Sequence, residues 1–315
     1  AFAIPFTLFA IFPEWMNALP KSGGWLNSVK VVLGFLELAF ALKFLSVADQ
    51  AYHWRILDRE VYLAFWIVIF TLMGFYLLGK IRLPNDSKPE TTSVPRLVLA
   101  IITFTFVIYL VPGMFGAPLK ALSGYLPPMF THDFNLLQAR QNNPMVFGKN
   151  EEKLCDPPKY ADFLHFPHGI QGYFDCDQAL ACAKEQQKPI FIDFTGHGCV
   201  NCREMEAKVW SDPEVLKRLN SDFVMLALYV DDKTDLPKSE CYTSEYDNKV
   251  KKSIGKQNAD LQIRKFNNNA QPFYVIVDPK GELLVEPRSY DLSVGNFVAF
   301  LDAGKKAFSS MRQGR

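Results

Sequence analysis

Residues 189–206 read PIFIDFTGHGCVNCREME, an apolar run followed by two cysteines separated by two residues. Ile190 to Thr195 has the composition of a buried strand, and the cysteine pair Cys199 and Cys202 stands where the following helix begins. A haem anchor needs a histidine directly after the second cysteine, and position 203 is Arg. A structural zinc needs two more ligands at clamp spacing. Cys176 and Cys182 are too far apart in sequence for a second clamp, which leaves His165 and His168 as the lesser candidates. A purely structural disulfide is the other lesser reading, and a reactive dithiol explains more of the surroundings.

A cysteine at the start of a helix faces unpaired backbone N–H groups and the positive end of the helix dipole. Both favour the thiolate, the form that attacks disulfides. Cys202, one turn on, is placed to close a ring disulfide and expel a mixed-disulfide partner. Asp193 lies on the preceding strand, where alternation can point it beneath the pair. A buried carboxyl there has a raised pKa and can accept the proton of Cys202. Glu204 and Glu206 follow in the helix as groups that can tune the thiols, although solvated face residues are the ordinary reading of such positions.

Outward from this junction the pattern alternates. A short strand near Tyr173 and Phe174 precedes an N-cap at Asp175 or Asp177 and a helix from Ala179 to Gln187. After the cysteine helix, which runs to about Trp210, Ser211 caps a new helix with Pro213 in its first turn. Phe223 to Val230 is a second buried strand, residues 231–260 form a polar insertion, and Leu261 to Phe266 is a helix. Phe273 to Val277, a turn at Pro279 to Gly281, and Leu283 to Glu286 make a hairpin, and Val294 to Ser309 is the last helix. This β-α-β-α-β-α-β-β-α order is that of a thioredoxin fold with one N-terminal addition, although a generic α/β domain alternates similarly.

The 315 residues divide into unlike parts. Residues 1–129 contain 10 Lys/Arg and 7 Asp/Glu, whereas the remaining 186 residues contain 24 and 26, a density suited to a globular domain. Neither part has the basic excess that nucleic acid demands. Within the first part, Val61 to Gly79 is free of charge and long enough to cross a bilayer. Leu97 to Phe115 and Val29 to Val47 are further spans, the latter interrupted by Glu37 and Lys43. Ala1 to Phe12 reads as the end of a fourth span, so the numbered chain reads as the tail of a longer membrane protein. Glu37 is read either as a functional carboxyl or as one facing neighbouring helices or an interface. Lys80, Arg82, Lys88 and Arg96 outnumber Arg55 and Arg59, placing the 80–96 loop in the cytoplasm and the C-terminal part outside. All six cysteines lie in that C-terminal part, consistent with an oxidising compartment. Cys182 reads as a small core residue; Cys155, Cys176 and Cys241 have several pairings open to them.

A strand with Asp193 six residues before the cysteine pair, and a distant Pro272 leading the strand to Val277, resemble the thioredoxin superfamily. CVNC with its REME flank, behind several spans that include LPKSGGW at 19–25, resembles the DsbD-type thiol:disulfide interchange family. The resemblance implies transmembrane helices over 1–129, a connector over 130–171, and an α/β thioredoxin-like domain over 172–315 with the 231–260 insertion. It further implies that Cys199 is the nucleophile, Cys202 the resolving thiol, Asp193 the buried acid/base, and Pro272 a cis proline facing substrate. Gln271, His197 and Gly198 complete the substrate-facing surface. Three features depart from the family pattern. His197 and Gly198 replace the Trp that usually precedes the first cysteine, leaving a barer rim to which His197 adds a titrating charge. The 231–260 insertion carries Cys241. Residues 1–129 contain no cysteine, so the family's membrane-embedded pair belongs upstream of this numbering.

The implied function is that of a protein-disulfide reductase in the bacterial inner membrane, with its thioredoxin-like domain in the periplasm. Electrons pass from an upstream membrane domain of the same protein, through the dithiol, to extracytoplasmic disulfide proteins, including those of cytochrome c biogenesis. The partners are then those proteins, that membrane domain and the lipid bilayer. The resemblance implies no metal and no cofactor beyond the cysteine pair. A tethered redox-sensing or binding module without turnover is the rival reading, and an oxidant that makes disulfides is a third.

Overall fold

Three runs of apolar side chains meet the requirement that backbone polar groups in hydrocarbon be satisfied within one segment. Each is helical in the computed structural model, which describes residues 24–83, 92–132 and 154–313. They are α1 (Gly24–Tyr52), α2 (Arg59–Leu77) and α3 (Val94–Leu110), and by length and composition all three can cross a membrane. The expected span at 1–12, Lys88 and half of the connector lie outside the described residues. Glu37 is exposed on α1 rather than turned into a helix interface.

The chain forms two compact units, residues 1–41 with 65–109, and residues 42–64 with 110–315. In the first, the Trp66 indole N–H donates to the Ala39 carbonyl (3.2 Å), and Phe70 and Phe106 meet edge to face. Gly74 admits the Phe104 ring, which a Cβ would meet at 2.7 Å.

In the second unit, the Asp49 carboxylate accepts from the Ile56 and Leu57 N–H groups (3.0 and 3.1 Å), capping the turn after α1. The buried Arg59 guanidinium donates to the carbonyls of Pro127 and Pro118, tying the start of α2 to the chain after α3. The rest of this unit is an α/β domain. Strand β1 (Ile190–Thr195) lies between β2 (Val224–Tyr229), which is parallel to it, and β5 (Phe273–Val277), which is antiparallel. All three strands are buried on both faces, which explains why they read as continuous apolar runs. One face packs on α6 (Pro213–Asp222) and α8 (Val294–Gln313), with Phe191, Trp210, Leu219 and Phe297 in its core. The other packs on α4 (Cys176–Gln186) and α7 (Ile254–Phe266), around Ile192, Phe194 and Cys182.

Several elements differ from the sequence expectation. Tyr173 makes only an isolated parallel bridge to Leu226, and Leu283 and Arg288 make only single bridges to β5. The outer strands are therefore reduced to bridges around a three-stranded sheet. Asp212, not Ser211, caps α6, because its carboxylate accepts from the Glu214 N–H (2.9 Å). The 231–260 stretch is partly regular: it holds the hairpin β3 (Tyr242–Thr243) and β4 (Val250–Lys251), and α7 begins at Ile254 rather than Leu261.

Cys182 is more than a core filler, since it forms a disulfide with Cys155, while Cys176 and Cys241 are free. The bridge spans a sequence separation of 27 and anchors the segment preceding α4. Chain-entropy reasoning for a loop of this length gives a stabilisation of about 3–4 kcal/mol. The Cys155→Ala, Cys182→Ala double variant is expected to lose about that much in denaturant unfolding. A loss under about 1 kcal/mol would show that the segment is held by its other contacts.

Candidate active site

The pair stands where β1 gives way to α5 (Val200–Met205). Cys199 is the N-cap of α5, and its Sγ accepts the Cys202 N–H at 3.0 Å. One of the otherwise unpaired donors of the first turn is thus aimed at sulfur, where it stabilises a thiolate once the pair is reduced. The structure holds Cys199 and Cys202 as a disulfide. Cys199 is half-buried, whereas Cys202 is 1% exposed. Only the first sulfur can be reached by a protein substrate, so the geometry distinguishes an attacking from a resolving position.

On the face of β1 that α5 covers, strand alternation sets a buried acidic group. Asp193 shares the face of β1 that carries Phe191 and Thr195, the face covered by α5 and by the π-helical turn Glu206–Trp210. Asp193 is 3% exposed, and its Oδ1 has no hydrogen-bond partner. Burial, reinforced by the nearby Glu206 carboxylate, pushes its pKa well above the usual carboxylate range, against the opposing pull of Arg203. Glu206 is no solvated face residue. It is buried and paired with Arg203 (2.9 Å), and burial raises its pKa to about 7 despite that partner. Arg203 also donates to the Thr195 hydroxyl (3.2 Å). Glu204 lies on the outer face, pairing with Lys208 and accepting from the Tyr290 hydroxyl (2.7 Å).

The π-helical turn frees a carbonyl, and His168 takes it: its Nε2 donates to the Glu206 oxygen at 2.7 Å. His165 instead packs against Phe130, and its carbonyl accepts from the Tyr229 hydroxyl. The two histidines considered as zinc ligands therefore serve separate structural contacts.

The Gln271–Pro272 bond is cis. Pro272 is buried, and Gln271 lines a cleft beside Cys199 together with Gly198, Asn201 and Asp231. His197 departs from its expected place on the rim. Its ring turns inward, 5% exposed, stacked on Tyr229 at 4.6 Å and bonded to Asp232 Oδ2 at 3.0 Å. The ring therefore faces away from the cleft. Asp231 fixes the loop by accepting the His197 and Gly198 backbone N–H groups (2.8 and 2.9 Å). Gly196 permits this close approach, since a Cβ there would meet the Asp231 carboxylate at 2.9 Å. The part played by Asp231 and Asp232 was missed from sequence, yet a signal existed. β1 and β2 run parallel in register from Ile190↔Val224 to Thr195↔Tyr229, so the residues just past their ends must be neighbours.

The chain's own segments also approach this loop. A Cβ on Gly124 would lie 2.4 Å from a Val200 methyl, and one on Gly198 3.0 Å from a Val47 methyl. Val200, between the two cysteines, is thus packed by the stretch that follows α3.

Comparison with known proteins agrees with this geometry. Residues 171–279 match the family model described as thioredoxin-like. The chain is 28% identical over 223 residues to the thiol:disulfide interchange protein DsbD of Vibrio vulnificus strain CMCP6, covering 71% of this chain and 29% of that protein. It is 27% identical over 201 residues to thiol:disulfide interchange protein DsbD 1 of Pseudomonas aeruginosa, covering 64% and 28%. The chain thus spans under a third of the length of these relatives. With a thioredoxin-like domain built around a Cys-Val-Asn-Cys junction behind three apolar helices, the chain is similar to DsbD-type thiol:disulfide interchange proteins.

Proposed function

We propose that the chain is a membrane-anchored protein-disulfide reductase whose working group is the Cys199–Cys202 pair. The observation that carries this reading is the asymmetry of the pair. A half-buried sulfur accepts a helix N-terminal N–H, a buried sulfur follows it, and the preceding strand carries a buried carboxyl with a raised pKa. In the reduced state the Cys199 thiolate attacks one sulfur of a substrate disulfide, forming a mixed disulfide and releasing the other sulfur as a thiolate. Asp193 then accepts the Cys202 proton. The Cys202 thiolate attacks Cys199 Sγ, closing the ring disulfide and expelling the reduced substrate, so that two electrons have moved outward.

Recovery of the dithiol requires two electrons from a donor. In this reading they come from a cysteine pair in an upstream membrane domain, by the same exchange run on the Cys199–Cys202 disulfide. The cysteine pair is the only redox group the cycle requires. The spans lie within 1–129, the connector within 130–171, and the 172–315 domain faces the periplasm of a bacterial inner membrane. Its partners there are disulfide proteins, including those serving cytochrome c biogenesis. Gln271, Gly198 and Pro272 form the face that receives the substrate chain.

A reductase must be more reducing than its partners. Equilibration of the pair with glutathione buffers is expected to give a potential below that of disulfide isomerases, about −180 mV. A value near about −120 mV, typical of a dithiol oxidant, contradicts this direction of flow.

A further inference from the structure

Two histidines and an aspartate that the redox cycle does not use meet behind the cysteine loop. His53 Nε2 lies 2.8 Å and His197 Nε2 3.0 Å from the same oxygen, Asp232 Oδ2. All three ligand atoms fall within 4.8 Å of one another. Around a tetrahedral zinc bound at about 2.0–2.1 Å, neighbouring ligand atoms stand roughly 3.3 Å apart. To face a common ion, each imidazole nitrogen therefore needs to move only a few tenths of an ångström from the carboxylate oxygen, and the two nitrogens, within 4.8 Å of each other, need to settle at a similar spacing.

The surroundings hold these side chains in place. The His197 ring stacks on Tyr229, and the His53 ring packs against Phe163 at 4.5 Å. Asp232 Oδ1 accepts the Thr234 N–H (2.8 Å), leaving Oδ2 turned toward the two imidazoles. The backbone is held too: His53 follows directly on α1, and the Lys233 N–H donates to the Ala51 carbonyl at 3.0 Å. Outer contacts of this kind are what orient ligands in metal sites. The Asp232 side chain is fully buried and that of His197 4% exposed, whereas His53 is 20% exposed and leaves an entry path.

We propose that His53, His197 and Asp232 form a binding site for a divalent transition-metal ion of the zinc type, its remaining position open to water. Imidazole and carboxylate donors suit such an ion. Without it, each imidazole N–H can donate to the shared carboxylate oxygen; the ion takes the place of those two protons. Bound metal ties the segment after α1 to the residue two before Cys199, clamping the loop that carries the nucleophile. The site stands on its own geometry, independent of whether the pair turns over.

The test uses the full chain in detergent micelles, with Cys199–Cys202 oxidised and Cys176 and Cys241 replaced by Ser, so that no thiolate competes for metal. Equilibrium dialysis against Zn²⁺ is expected to load one ion per chain. His53→Ala and His197→Ala are each expected to weaken binding by about tenfold or more. Should either variant fail to fold, X-ray absorption of the zinc-loaded unsubstituted site decides, with scattering from two imidazoles expected. No retained zinc, retention unchanged in folded His53→Ala, or a spectrum lacking imidazole scattering would overturn the proposal and leave a hydrogen-bonded clasp.

Discussion

Replacing Cys199 by Ser is expected to abolish disulfide reduction, lowering the rate by on the order of 10³-fold or more, because a hydroxyl at this pH offers almost no anion to attack sulfur. Cys202→Ser is expected to lose turnover as well, but differently. The first attack still proceeds from the half-buried Cys199, and the mixed disulfide then persists because the buried resolving sulfur is gone. Stopped-flow or gel-based reduction of a protein disulfide reads the first effect, and accumulation of the adduct reads the second. Equal accumulation of the adduct in both variants, or none in either, would mean that the two sulfurs do not have distinct roles.

Asp193→Asn is expected to separate stability from rate. The carboxyl is buried, one oxygen has no partner, and its pKa stands well above the usual range. A raised folded-state pKa means that the native protein binds more protons than the unfolded chain, so stability falls as pH rises from the ordinary carboxylate range toward the folded pKa. The amide cannot ionise. The variant should therefore match the parent near pH 4 and gain on the order of 2 kcal/mol at neutral pH. The resolving step should slow by about 10²-fold, since the proton acceptor for Cys202 is removed. Chemical unfolding across pH 4–8 checks the first effect, and decay of the mixed disulfide checks the second. A variant less stable at pH 7 than at pH 4, relative to the parent, contradicts the assignment of a strained buried acid. Glu206, raised to about 7 and coupled to the same Arg203, adds its own negative slope over the same window and remains in the variant as an internal reference.

The elements whose chemistry is local could be read from the sequence. β1 and β2 are apolar runs buried on both faces, and both appear within a residue of where their composition places them. The cysteine pair falls at the strand-to-helix junction, and Asp193 falls on the helix-covered face, because strand alternation is strict. What escaped depends on contacts between distant segments. Cys182 occupies the buried stripe of α4, where a small apolar residue is the expected occupant, and only the fold brings Cys155 to it. The first turns of α7 carry Lys256, Gln257 and Asn258 and so resembled loop. Tertiary hydrogen bonds, such as Asn258 to the Tyr229 carbonyl (2.9 Å), hold them in the helix. His197 seemed a rim residue from its place before the nucleophile. Its direction is set by Tyr229 and Asp232 at the end of the neighbouring strand, and by His53 far earlier in the chain.

The most direct measurement is mass-spectrometric mapping of the adduct that the reduced Cys202→Ser variant forms with a disulfide protein. The expected adduct is a single mixed disulfide on Cys199, with none on Cys176, whose thiol is pushed up to about 11 by burial, and none on Cys241. An adduct on either of those two residues, or no adduct at all under conditions where the parent protein reduces the same substrate, would contradict the assignment of Cys199 as the attacking sulfur.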